Sequence, residues 1–171
     1  MTGCANQPDS LKFIYENAGN PDTELALYEV NIGNKVSGGA LVAELWQNGE
    51  CLESSPITLN TDTKELHLSL LLDRHATSES MQGLNVQIGT EEVTDSELKY
   101  FEVPEDIKGY SFSAYEDKEV IEVAPNEEFI LAAMAFDMGN GVRSIDCKTL
   151  VSDPSVLSSY SCIAVVRAKF V

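Results

Sequence analysis

The dipeptide Asn48-Gly49 stands between two short alternating runs, 41–46 and 51–53. Both of its residues tolerate the positive φ that a two-residue hairpin turn demands. A hairpin there commits this part of the chain to antiparallel β-structure, and the same period of two recurs elsewhere. Further strands are predicted at 23–31, 57–59, 65–72, 84–89, 98–103, 110–115, 119–123, 128–138, 141–147 and 161–171. Turn clusters separate them, among them Gly19-Asn20-Pro21-Asp22, Ser37-Gly38-Gly39, Ala124-Pro125-Asn126 and Gly139-Asn140-Gly141. Phe129-Ile130-Leu131-Ala132-Ala133-Met134-Ala135-Phe136 is apolar without alternation, as a central strand covered on both faces would be, and the turns flanking it argue against a buried helix. Asp153 as N-cap and Pro154 at the first helical position predict one short helix ending near Ser159, before the last strand. No repeat of about 20 to 50 residues is visible, which excludes a solenoid or propeller. The expectation is an all-β fold, an antiparallel Ig-like β-sandwich with that one helix. At 171 residues it forms a single domain over 11–171, preceded by a polar tether over 1–10.

Charge narrows the partners. The chain carries 28 acidic against 11 basic residues, a net charge of −17, so phosphate backbones and anionic membrane surfaces are repelled rather than held. Nucleic acid is therefore not an expected partner. The acids are unevenly placed: Glu91, Glu92, Asp95, Glu97, Glu102, Glu105, Asp106, Glu116, Asp117, Glu119, Glu122, Glu127 and Glu128 crowd into 91–128, against only Lys99, Lys108 and Lys118. A solvated face that charges edge strands explains such a run. A surface for a basic partner or for divalent cations explains it too. Tyr100, Phe101, Tyr110, Phe112 and Tyr115 fall in the same segment, and tyrosine is enriched at interfaces. The alternation in 110–115 also allows every second one of these residues to face a core. Trp46, in the hairpin, reads as core or rim packing.

Met1-Thr2-Gly3-Cys4 resembles the lipobox of bacterial lipoproteins, with Met1 where Leu is usual, as in a chain cut at the end of its signal peptide. The resemblance implies that Cys4 is a lipid anchor and that the protein is extracytoplasmic, touching the membrane only through that lipid. A chance small-small-Cys in a cytoplasmic protein is the alternative. Cys51, Cys147 and Cys162 have no metal-ligand spacing, so no structural zinc is expected. In an exported chain Cys147 and Cys162 are the pair expected to form a disulfide, closing a loop of about 15 residues for about 3 kcal/mol. Three buried free thiols are the competing expectation.

The stretch 123–170 contains Pro125-Asn126-Glu127-Glu128, Phe129-Ile130-Leu131-Ala132, Ser144-Ile145-Asp146, Asp153-Pro154 and Ile163-Ala164-Val165-Val166. It resembles the end of an uncharacterised extracytoplasmic domain of small Gram-positive lipoproteins and BlaR-like membrane metallopeptidases. Leu27-Tyr28-Glu29 and Ser37-Gly38-Gly39 are similar to the opening strands of that domain. The resemblance covers about a third of the chain and implies a sensing or binding domain. It implies no peptidase residues, since the His-Glu-x-x-His zinc motif does not occur.

Catalytic patterns are sparse. There is no Gly-x-Ser-x-Gly elbow and no phosphate-binding glycine loop. His67 falls in a strand pattern and His75 in an expected loop. Asn60-x-Asp62-x-Lys64 starts like a calcium loop but has Lys64 at the fifth position and Glu65 where the turn glycine belongs. The expectation is a non-catalytic module without cofactor or metal, engaging an unidentified protein partner in the cell envelope. Glu91, Glu92, Glu116, Asp117, Glu119 and Tyr115 are the candidate contact residues. An envelope hydrolase using a carboxylate or either histidine, and a divalent-cation module, are the alternatives.

Overall fold

A computed structural model gives the fold of residues 9–171, apart from 21–22, 32, 34, 38, 60–64, 77–81, 91–92, 104–108, 117–119, 138, 140 and 142–143. At 15–20, 23–25, 53, 55, 57–59, 65–76, 82–90 and 93–103 it describes the backbone alone. In chain order the strands are β1 (Ser10–Asn20), β2 (Thr23–Asn31), β3 (Gly39–Gln47), β4 (Glu50–Leu59), β5 (Glu65–Ala76), β6 (Gln82–Thr90), β7 (Val93–Val103), β8 (Gly109–Ala114), β9 (Ile121–Glu122) and β10 (Glu128–Asp137). Helix α1 (Cys147–Ser152), a 3₁₀ helix (Pro154–Ser159) and β11 (Cys162–Phe170) complete it. The strands form two antiparallel sheets, one of six in the order β7-β6-β5-β2-β1-β9 and one of five in the order β4-β3-β11-β10-β8.

The expected hairpin is present. Asn48 and Gly49 take φ of 49° and 83°, and Gln47 pairs with Glu50 across the turn. The hairpin tip is docked. The Asn48 N–H donates to the Ser161 carbonyl, and a Cβ built on Gly49 would lie 2.9 Å from that of Ser158. Glycine is needed here for space as well as for φ.

One core joins the sheets. From the six-stranded sheet come Leu11, Ala26, Tyr28 and Val30, and from the other Leu41, Leu45, Leu131, Met134, Val166 and Phe170, all buried. Strand β10 is apolar and buried from Phe129 to Phe136 because both of its faces are covered, as expected. A register shift between Ile130 and Ala132 puts Leu131 and Ala132 together on the inner side, while Ile130, Ala133 and Ala135 face outward. The Tyr28 hydroxyl crosses the core from β2 and donates to the Leu131 carbonyl. The Tyr115 N–H donates to that same carbonyl at 2.8 Å and to the Tyr28 hydroxyl at 2.9 Å.

The outer face of the five-stranded sheet carries a second apolar cluster, closed by α1 and the 3₁₀ helix. Ile130, Ala133, Ala135, Ile163 and Val165 of the sheet meet Cys147, Leu150, Leu157 and Tyr160 of the covering segment. Asp153 caps the 3₁₀ helix as expected, accepting from the Ser155 N–H at 3.1 Å, with Pro154 at its start. The strand expected over 141–147 does not form: Cys147 opens α1 instead, and Asp146 caps it, accepting from the Lys148 N–H at 3.0 Å. The segment instead lies across the outer face of the sheet as helical turns capped by Asp146 and Asp153.

Strand β1 was not expected, since its residues do not alternate cleanly, and a register shift between Phe13 and Tyr15 accounts for that. Of the expected tether, 1–8 lie outside the described residues, whereas Asp9 and Ser10 are buried and belong to the domain. Asp9 is 3% exposed, and its carboxylate accepts from the N–H groups of Gly33, Lys35 and Val36 while its carbonyl accepts from Val123. Three backbone donors compensate for the burial of that charge. Beyond the outer apolar cluster, Arg167 bonds Glu44 at 3.1 Å and reaches Glu128 at 3.7 Å, and the Trp46 indole N–H donates to Glu44 at 2.7 Å.

Candidate functional site

Strand β8 ends one side of the five-stranded sheet, and its ladder to β10 runs without a shift from Gly109↔Asp137 to Ala114↔Ala132. Beside it, residues 145–148 lead into α1. Between the two lies a cleft of about 310 Å³, lined by Phe112, Ser113, Ala114, Tyr115 and Glu116 on one side and by Ile145, Asp146, Cys147 and Lys148 on the other.

Tyr115 follows β8 and touches both apolar clusters, its ring edge-on to Phe129 with centroids 5.5 Å apart. Its backbone is fixed by the bonds to Leu131 and Tyr28, and its ring packs against Phe129 at the rim of the cleft. The Lys148 ammonium lies 5.5 Å from the ring centroid, within cation–π range. Glu116 is exposed. The Asp146 carboxyl is held below its ordinary value, chiefly by the Thr149 hydroxyl donating to it at 2.8 Å. The cleft therefore presents two carboxylates and one ammonium around a fixed aromatic ring.

Two of the sequence-predicted contact residues, Tyr115 and Glu116, meet in this cleft. Glu91, Glu92, Asp117 and Glu119 lie outside the described residues, as does Cys4. The topology divides the acidic segment. Strand β7 ends the six-stranded sheet at the edge that approaches β4, whereas β8 and β9 lie at the opposite side. The 91–128 run is thus not one continuous face. Three of its acids serve the fold: Glu122 pairs with Lys35 at 3.0 Å, Glu127 accepts from the Ala124 N–H at 2.8 Å, and Glu128 reaches Arg167 and Lys169. Glu122 also holds the Lys35 ammonium above its ordinary value, through their hydrogen bond first and their charges second. Tyr110 and Phe112 pack on the inner core, as their alternation allowed.

The disulfide between Cys147 and Cys162 is not formed, and both residues are buried. Cys162 belongs to the inner core and Cys147 to the outer cluster, so the five-stranded sheet separates them. Cys147 donates to the Ser113 carbonyl at 3.6 Å, and burial pushes the Cys162 thiol up to about 12. Cys51 is exposed rather than buried. His67 lies in β5 opposite Glu29, and His75, expected in a loop, lies in β5 opposite Gly83. Trp46 sits at the rim of the outer cluster.

Sequence reasoning missed Asp146 and Lys148. An aspartate followed three residues later by a threonine before Leu150-Val151 was a readable capping signal, but the glycines at 139 and 141 suggested a hairpin. Among the described residues there is no group of three or more His, Cys, Asp or Glu side chains placed to hold a metal ion, and no helix long and apolar enough to cross a membrane. The chain matches no protein-family model, no curated protein and no solved structure.

Proposed function

We propose that this is a non-catalytic binding or sensing module of Ig-like type, extracytoplasmic and tethered through a lipid on Cys4, which engages a protein partner of the cell envelope. Its contact surface is the cleft side of β8, with Tyr115 and Glu116 at its centre and Asp117 and Glu119 next in sequence. One observation supports this reading above others: a tyrosine whose backbone N–H is doubly bonded and whose ring packs on Phe129 stands beside an exposed carboxylate at the mouth of a cleft. A rigid aromatic and a peripheral charge are what protein interfaces use for anchoring and for steering.

The test compares the wild-type domain with a Glu116→Lys, Asp117→Lys, Glu119→Lys variant, both immobilised and exposed to detergent-solubilised envelope proteins at low salt. A protein retained by the wild type and lost from the variant supports the reading. Equal retention by both overturns it. Anchoring has its own test, since Cys4→Ser should release the full-length protein from the membrane fraction.

A further inference from the structure

Edge strands invite pairing, and this fold protects its edges unequally. In the six-stranded sheet the two-residue β9 covers β1. Strand β4, at one edge of the five-stranded sheet, carries Pro56, which has no N–H to offer a neighbour. Strand β8, at the other edge, is Gly-Tyr-Ser-Phe-Ser-Ala, with no proline, no charge and no bulge against β10.

Its hydrogen-bonding parity follows from one bond. The Tyr115 N–H points to β10, where it meets the Leu131 carbonyl, so Ser113, Ser111 and Gly109 also turn their backbone groups toward β10. Tyr110, Phe112 and Ala114 turn theirs outward. Among the described residues no backbone partner meets the outward N–H and C=O of Phe112 or the outward N–H of Ala114, and the Ala114 carbonyl has only the Ser113 hydroxyl at 3.4 Å. Phe112 and Ala114 also line the cleft. Among the described residues, the unpartnered outward backbone groups of Phe112 and Ala114 therefore adjoin the cleft.

Charge selects the occupant. Uncharged β8 is flanked in sequence by Glu105, Asp106 and Lys108 before it and by Glu116, Asp117, Lys118 and Glu119 after it, on a chain of net charge −17. Glu116 and Asp146 stand at the cleft, and Lys148 is turned onto the Tyr115 ring.

We propose that the outer edge of β8 receives an extended basic segment of the protein partner as an added strand. Its backbone bonds Phe112 and Ala114, and a lysine or arginine side chain enters the cleft beside Glu116 and Asp146. This rests on the reading of the β8 side as the partner surface and specifies how that surface is used.

The probe is a short peptide of alternating lysine and valine, compared with the same peptide N-methylated on every backbone nitrogen, so that neither edge can donate, and with a glutamate–valine counterpart. Affinity is measured at low salt, and amide exchange is followed residue by residue. The expected result is saturable binding of the lysine–valine peptide with slowed exchange at Phe112 and Ala114, and affinity about tenfold lower after N-methylation, the worth of one or two hydrogen bonds. Equal binding of the N-methylated peptide would overturn strand addition while leaving the acidic surface as a charge-selective contact. Equal binding of the glutamate–valine peptide would overturn the choice of a basic occupant. Concentration-dependent self-association that slows the same two amides without peptide would make a second copy of the chain the occupant and overturn the proposal. No binding of the lysine–valine peptide would overturn the strand-addition proposal, while the partner-surface reading stands or falls with the Glu116→Lys, Asp117→Lys, Glu119→Lys comparison.

Discussion

The two faces of the five-stranded sheet are both apolar, yet they are closed by different means. The inner face meets a whole second sheet through Tyr28, Leu131, Met134 and Phe170, and the Tyr28–Leu131 bond joins residues 103 positions apart in the chain. The outer face is closed by α1 and the 3₁₀ helix, which immediately precede β11 and cover Ile163 and Val165 on it. The inner core thus depends on distant pairings, whereas the outer cluster is a local cover held by aspartate caps and the docked hairpin tip. The inner face should therefore report global stability, and the outer one a segment able to open by itself.

The largest expected effect is on the inner side. Phe170→Ala removes a fully buried ring that stands edge-on to Phe129 and should cost about 3 to 5 kcal/mol in denaturant unfolding, without a separate early transition. Leu150→Ala should cost about 2 to 3 kcal/mol, at the lower end for a buried leucine because the cover can settle, and its signature should be local. Amide exchange should quicken over 145–160 while β2 and β11 stay protected. Uniform quickening would show that the two faces form a single cooperative unit.

Smaller changes sharpen the contrast. Tyr28→Phe leaves the Leu131 carbonyl without its cross-core donor and should cost about 1 to 2 kcal/mol, loosening Tyr115 as well. Asp146→Ala should cost about 1 kcal/mol near neutral pH. Because the folded state holds this carboxyl below its ordinary value, its contribution is present above the unfolded carboxylate range and is lost as the pH falls through the folded value. The gap between wild type and Asp146→Ala should therefore close in acid.

The thiols give the finest test. Cys51 should alkylate in the native protein, while Cys147 and Cys162 react only after unfolding. With the Cys162 thiol raised from 9.0 to about 12, the unfolded chain releases that proton first, so stability should decline as pH climbs through that window. Comparison with Cys162→Ala isolates the effect.

Much of the inner architecture was legible in the residues. Period-two runs located β2, β6, β8 and β11 to within a few positions, the unbroken apolar run located β10, and Asn48-Gly49 identified its hairpin, because these signals are local. Strand β1 was hidden by its register shift, and α1 by its brevity, since six residues show no helical period. The cleft was half legible: Tyr115 and Glu116 stood out by type and neighbourhood, but Asp146 and Lys148 enter it only because the cover crosses the sheet beside β8.

What the residues determined by themselves is where the chain extends, where it turns and where a helix is capped, because side-chain sterics and backbone hydrogen bonding act over a few positions. The tertiary structure alone decided which side of a sheet each residue serves. Cys147 and Cys162 sit only fifteen positions apart, yet a strand's alternation and the crossing of the cover place them on opposite faces, and their pairing is lost. The same long-range pairing sent β7 and β8 to opposite sides, dividing one acidic run of sequence and placing β8 at the edge of its sheet beside Glu116. Strand order depends on contacts between distant segments, and no local pattern encodes it.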